Sequence, residues 1–223
     1  MNYSFRFSSL LAYRDEIIEG LLLTLQLSAA TILIGLVIGV VIAALRTGGP
    51  GPLRSIATVY VETIRNTPLL VQLFIIFFGL PSLGLRFTAN EAALIGLSIN
   101  LGAYSAEIIR AGIESVRKSQ IEAGHALGLN GYQVFRHVVL FQALKAIYPA
   151  LTSQFILLML MTSIVSTIGA NELFHQASFI DSRTFRSFEV YTAITLIYLG
   201  LTLLFRGVFA AIYWCVFVRR PAR

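Results

Sequence analysis

Apolar residues fall into five long blocks along the chain, separated by stretches rich in glycine, proline and charge. A helix needs about 20 mainly apolar residues to cross a hydrocarbon layer of about 30 Å. The blocks at 20–45, 57–80, 89–109, 143–168 and 190–218 meet that length. They are too long and too uniformly apolar for the alternating pattern of a membrane β-barrel, and in lipid the backbone must satisfy its own polar groups. The predicted fold class is therefore all-α: a polytopic membrane protein of five transmembrane helices, one domain over 1–223 with its core at 20–218.

Within the blocks, polar and small residues mark the faces that meet other helices. Gly35 and Gly39 form a Gly-x-x-x-Gly pair that permits close approach, here expected within the chain rather than between copies. In the second block the uncharged stretch 69–80 is too short to cross alone, so the span must begin earlier and kink or break near Pro68. Gly96, Asn100, Ala103 and Glu107 make one small or polar stripe on the third block, predicted to face the bundle or a water-filled path. Glu107 and Arg110 stand three residues apart, the spacing of a structural ion pair, and a transport role for either is the other reading. The fourth block carries Pro149 near its start and Gln154, Thr162, Ser163 and Ser166 further on. Residues 1–19 suit an amphipathic interfacial arm. The first block shows no cleavage pattern and is expected to be retained rather than removed as a signal peptide. A short helix is expected at 171–179 in the charged segment before the fifth block.

One polar stretch, 114–137, is too long and too regular for a minimal turn between spans. Glu122, Ala126 and Leu129 recur at helical spacing beside Ala123 and Leu127, which predicts a short helix with one face free for packing. From the pattern alone, that helix either lies on the membrane surface or docks a protein. Gly124 and Gly128 are either turn residues or points of close approach.

Composition agrees with a membrane protein: 57% of the 223 residues are hydrophobic, 13% are charged, and the mean hydropathy is +0.78. The formal charge of +6 would suggest nucleic-acid binding in a soluble chain. With five spans, however, 12 of the 17 basic residues fall on the side that carries 114–137 and the C-terminus. The positive-inside rule then places that side in the cytoplasm and the N-terminus outside, with membrane lipid and not nucleic acid as the surroundings. The single Cys215 gives no disulfide framework, and the three histidines lack metal-ligand spacing, so no metal or catalytic residue is expected. No phosphate-binding glycine loop with its lysine is present, so this chain is not expected to hydrolyse nucleotide.

The chain resembles the permease subunits of bacterial ABC importers for polar amino acids, the histidine, glutamine, glutamate and arginine class. That family's signature is Glu-Ala-Ala, three residues, Gly, nine residues, then Ile-x-Leu-Pro. Here Glu122-Ala123-Gly124 and Gly128 keep the spacing, with Val138, Leu140 and Phe141 in the last positions. Phe141 in place of proline implies a weaker junction between the short helix and the fourth span. Gly20–Leu25, the Arg65–Gln72 stretch around Thr67-Pro68-Leu69, Ala103–Ile113 and Thr184–Glu189 also resemble the family, so the likeness covers roughly 15–218.

The resemblance implies a type I ABC importer permease fold in the bacterial inner membrane. Glu122, Ala123, Gly124, Ala126 and Gly128 would couple a cytoplasmic coupling helix to a dimer of ATPase subunits. Any ATP and magnesium would sit on that partner, with no cofactor in this chain. A second permease subunit, identical or related, and an external solute-binding protein complete the implied assembly. Asn66, Thr67, Asn100, Tyr104, Gln154, Met161, Thr162, Ser163 and Ser166 are the expected solute path, with Pro68, Glu107 and Arg110 structural. Many relatives carry a lysine or similar polar residue and then an aspartate where this chain has Leu160 and Met161. That pair either packs in the bundle or leaves the path without a carboxylate. Two other classes are weighed. A stand-alone carrier or channel would want internal repeats or a buried acidic relay, for which Glu62 and Glu107 are the candidates. A membrane enzyme would want converging catalytic groups, and His125 and His137 have no cysteine or aspartate nearby.

Overall fold

The protein is described here by a computed structural model covering residues 5–219. It is all-helical among those residues, and its helices follow the apolar blocks. α1 (Arg14–Gly48) is the longest; α2 (Gly51–Arg65) and α3 (Leu69–Phe74, extended by a π turn) form the second block; α4 (Ala89–Glu114) is the third. The polar stretch holds α5 (Lys118–Ala126) and α6 (Gly131–Val134), and α6 continues through a π turn into α7 (Leu140–Met161). A 3-10 segment at 162–168, α8 (Leu173–Thr184) and α9 (Ser187–Tyr213) complete the order.

Among the described residues four helices are long and apolar enough to cross a membrane, and α2 with α3 makes a fifth crossing if the bent pair counts as one. The kink expected near Pro68 is a turn of 107°. Its cause is local: Pro68 offers no N–H, and the residue before a proline is pushed out of helical geometry.

The centre of the bundle is the α1–α4 seam. Gly35 and Gly39 face α4, where a Cβ on Gly39 would lie 2.5 Å from the Ser105 Cβ and one on Gly35 would lie 2.9 Å from Leu101. The Gly-x-x-x-Gly pair therefore serves an internal contact, as its setting predicted. Leu73, Leu97, Leu101 and Leu158 fill the adjoining core. α4 also approaches α7 closely at Gly112, where a Cβ would collide with Ile147.

Three boundaries differ from expectation. α1 begins at Arg14, so much of the expected arm is helix; Leu10, Tyr13 and Ile17 pack with Leu173, Ile180 and Val190 rather than lying only on an interface. The short helix expected at 171–179 runs from Leu173 to Thr184. The fourth block is helical from Gly131 to Ile168, running through a π turn at 135–139, past Pro149 and into a 3-10 end, so the segment after α5 leads directly into the span.

Candidate coupling surface and solute path

α5 is stopped by backbone geometry. Gly128 takes a φ of +80°, the Leu129 N–H donates to the Gly124 carbonyl at 3.2 Å, and the Gly128 N–H donates to the His125 carbonyl at 2.9 Å. This is the left-handed helix stop for which glycine is suited. Asn130 then opens α6 by a capping box, its side chain accepting from the Gln133 N–H while its own N–H donates to the Gln133 side chain, both at 2.9 Å. Ile121 and Leu129 pack on Val116, Val134, Val139 and Ala143, which fixes one face of the segment to the bundle.

The signature residues divide accordingly. Gly124 is buried, and a Cβ there would lie 3.1 Å from Val134, so its small size serves internal packing. Gly128 is the turn. Glu122, Ala123 and Ala126 are exposed. Beside them project Leu127, which belongs to the helical pattern, and Tyr132, which that pattern did not single out, 81% and 75% exposed. The available signal was large apolar residues in an otherwise polar stretch.

At the break between α2 and α3, Asn66 and Thr67 donate back into the last turn of α2, to the Glu62 carbonyl at 2.7 Å and the Thr63 carbonyl at 2.8 Å. Both side chains are exposed. Gln72, which the sequence reading quoted only within a motif, is the organising group. Its amide donates to the Ile64 carbonyl at 2.8 Å and to the Thr67 carbonyl and hydroxyl at 3.1 and 2.9 Å, and its oxygen accepts from Asn100 at 3.1 Å. It satisfies carbonyls that the broken helix leaves open, as buried polar groups require. Asn100 is buried and bound to Gln72.

Below the break, the Arg65 guanidinium lies 5.5 Å from the centre of the Tyr104 ring. Glu107 receives Arg46 at 2.5 Å, Arg65 at 3.7 Å, and Arg110, which also meets Glu114 at 2.5 Å. The expected Glu107–Arg110 pair is thus one edge of a network joining α1, α2 and α4.

On α7, Gln154 and Met161 are half-buried, and Met161 packs against the central core. Thr162, Ser163 and Ser166 each donate to the carbonyl three residues back, at 2.7, 2.8 and 2.7 Å, within the 3-10 segment. That segment lies against both α3 and α4, which brings Thr162, Ser163 and Ser166 near the broken span.

The charged stretch before α9 departs from an exposed loop. Glu172 is fully buried; its carboxylate caps α8 through the Phe174 and His175 N–H groups at 2.9 and 2.8 Å and accepts from the Tyr198 hydroxyl at 2.9 Å. Burial still pushes its pKa above the usual carboxylate value. Glu189 is buried as well, meeting Arg186 at 2.8 Å and the Arg6 N–H at 3.1 Å. An acid just before an apolar helix is a capping signal, and for Glu172 it outweighs the solvent-facing reading of a charged run.

The family of binding-protein-dependent transport system inner membrane components matches residues 35–213. The chain belongs to that family. This permease is 39% identical to the probable glutamine ABC transporter permease protein GlnM of Bacillus subtilis (strain 168), over 91% of this chain and 92% of that protein. It is 39% identical to the glutamine transport system permease protein GlnP of Escherichia coli (strain K12), over 84% and 86% of the two. Among solved structures, an amino acid ABC transporter crystallised with histidines superposes with a TM-score of 0.89 at 40% identity, covering 94% of this chain and 98% of that one. The MetNI methionine ABC transporter in an inward-facing conformation shares the fold, with a TM-score of 0.73 at 20% identity and coverage of 92% and 98%. The resemblance read from the signature is borne out, as is the type I importer permease fold, and the permease is a multi-pass inner-membrane component.

Proposed function

We propose that this permease is one half of the membrane path of an ATP-driven importer for a polar amino acid, delivered by an external solute-binding protein. The observation that carries this reading is the anchored α5–α6 segment. Its inner face is fixed to the bundle through Gly124 and Val134, and its outer face offers Glu122, Ala123, Ala126, Leu127 and Tyr132. An apolar projection with one carboxylate, held rigidly at the end of a span, suits a groove on a partner protein. That partner is an ATPase dimer in the cytoplasm, which puts the N-terminus outside and the C-terminus inside, in agreement with the distribution of basic residues. The amino-acid cargo is supported by the relatives named for glutamine transport.

The chain acts as a single domain over 1–223, with a five-span core at 20–218 and coupling through 114–137. Its solute path runs past Asn66, Thr67, Tyr104, Gln154 and the 161–166 turn, and a second permease copy or relative supplies the other wall. Leu160 and Met161 bring no carboxylate to that path, so a cationic cargo side chain would find its counter-charge elsewhere.

Affinity purification of the tagged permease from cells expressing its ATPase partner, followed by transport in vesicles, tests the proposal. Glu122→Ala and Leu127→Ala are expected to leave the permease folded, reduce the retained ATPase at least about fivefold, and lower ATP-driven uptake in step. Uptake that persists without any ATPase would overturn it.

A further inference from the structure

A cleft of about 460 Å³ lies between α7 and α9, away from the coupling surface and from the Gln72 break. Pro149, Thr152 and Ser153 line one wall, and Arg206, Phe209 and Tyr213 the other. Arg206 interrupts an otherwise charge-free stretch, 190–218, that takes in most of α9 and the π turn after it. An intramembrane guanidinium is costly unless something answers its charge. Among the described residues no carboxylate lies within ion-pairing distance of it: the acids near the same end of the bundle, Glu107 and Glu114, are taken by Arg46, Arg65 and Arg110.

Three further observations define what fits. Lys145 lies one helical turn before Pro149 on the same face of α7, is exposed, and makes no ion pair with the described residues, so a second unanswered cation stands one turn beyond the residues that line the groove. Thr152 spends its hydroxyl on the Pro149 carbonyl at 3.0 Å and Tyr148 spends its own on the Phe209 carbonyl at 2.7 Å, which leaves the hydroxyls of the exposed Ser153 and of Tyr213 in the lining. Along α9, the face of Arg206 continues through Leu203, Leu199 and Leu196, all well exposed. That strip rises about 15 Å away from the cations, toward the middle of the membrane.

We propose that this cleft is a binding site for an anionic phospholipid. Its phosphate sits between Arg206 and Lys145 with Ser153 donating, and one acyl chain lies along Leu203, Leu199 and Leu196. Basic pockets between membrane helices take such head groups, and the arginine fork suits phosphate. A zwitterionic amino acid fits less well, because the cleft has no acidic side chain to receive its ammonium group. The site depends on α7 and α9 alone and stands whether or not the amino-acid cargo is correct.

The test uses the assembled transporter in mild detergent, titrated with dioleoyl phosphatidylglycerol or with phosphatidylcholine of the same chains and read by native mass spectrometry. The first phosphatidylglycerol is expected to bind at least about tenfold more tightly than phosphatidylcholine. Arg206→Gln and Lys145→Gln should each lower that preference about fivefold, and the double variant should abolish it. Should Arg206→Gln fail to assemble, Ser153→Leu, which fills the cleft, must reduce the preference in its place. An unchanged preference in the double variant overturns the proposal. So does displacement by millimolar inorganic phosphate, which would make this a site for soluble anions. A disulfide between two copies of S153C in a Cys215→Ser background would also overturn it, by making this face a seam between permeases.

Discussion

α4 meets α1 and the broken α2–α3 span in different ways. Toward α1 the contact is tight and made of small residues: Gly35, Gly39, Leu101 and Ser105 allow near backbone contact, and the hydroxyls of Thr31, Ser98 and Ser105 are buried without partners among the described residues. Toward α2 and α3 close apolar packing, with Leu73 against Gly96, is joined by directed polar groups that the seam at Gly35 and Gly39 lacks: Gln72 holds the broken span to Asn100, and Arg65 joins the arginines gathered on Glu107. Tight packing has one good arrangement and resists change. Hydrogen bonds across a break can be exchanged for others at small net cost. We predict from this difference that α1 and α4 move as one body and that rearrangement during transport is centred on the Asn66–Pro68 break, which the Gln72 variant below tests.

The strongest way to break this comparison is Gly39→Leu. Even its Cβ would stand 2.5 Å from Ser105 and 3.1 Å from a backbone nitrogen, so the helices must part. We expect a loss of about 3 kcal/mol or more and no stable permease, read from thermal melts and gel filtration. Glu107→Gln should come next, at about 2 kcal/mol, because three arginines are left facing one another at a partly screened site. The melt of an Arg46→Gln, Glu107→Gln double variant should fall by less than the sum of the two singles.

On the polar side, Gln72→Leu strands the Ile64 and Thr67 carbonyls and Asn100. It should cost about 1–2 kcal/mol and depress transport more than assembly, measured by uptake per folded permease. If transport and assembly fall together, the break is as rigid as the seam. The smallest effect is expected from Ser105→Ala. Removing an unpartnered buried hydroxyl should leave stability unchanged or raise it by up to about 1 kcal/mol; a clear loss would mean that the seam relies on a hydrogen bond after all.

How much of this was legible beforehand depended on whether the determinant was local. The spans, the Pro68 break and the Gly35–Gly39 approach are written in runs of apolar residues, a missing N–H and a four-residue spacing, so sequence alone carried them. The Glu107–Arg110 pair was legible for the same reason, but its extension to Arg46 and Arg65 was not, since those arginines arrive from α1 and α2. Gln72 was overlooked because its partners, Ile64, Thr67 and Asn100, come together only once the chain has turned 107°. The burial of Glu172 and Glu189 was not legible, because burial of a carboxylate depends on what packs over it.

The unbroken course from Gly131 to Ile168 has a mechanical consequence. Its 38 residues make a rod of about 57 Å. One end is clasped by Gly124 through Val134, and the other forms the hydroxyl-lined turn against α3 and α4. Swinging such a lever by ten degrees about its clasped end would displace the far tip by about 10 Å, roughly the diameter of a helix. The π turn at 135–139 and Pro149 lie along that lever and are where a small push from α5 would be absorbed, so carrying it across the bilayer requires both to stay stiff.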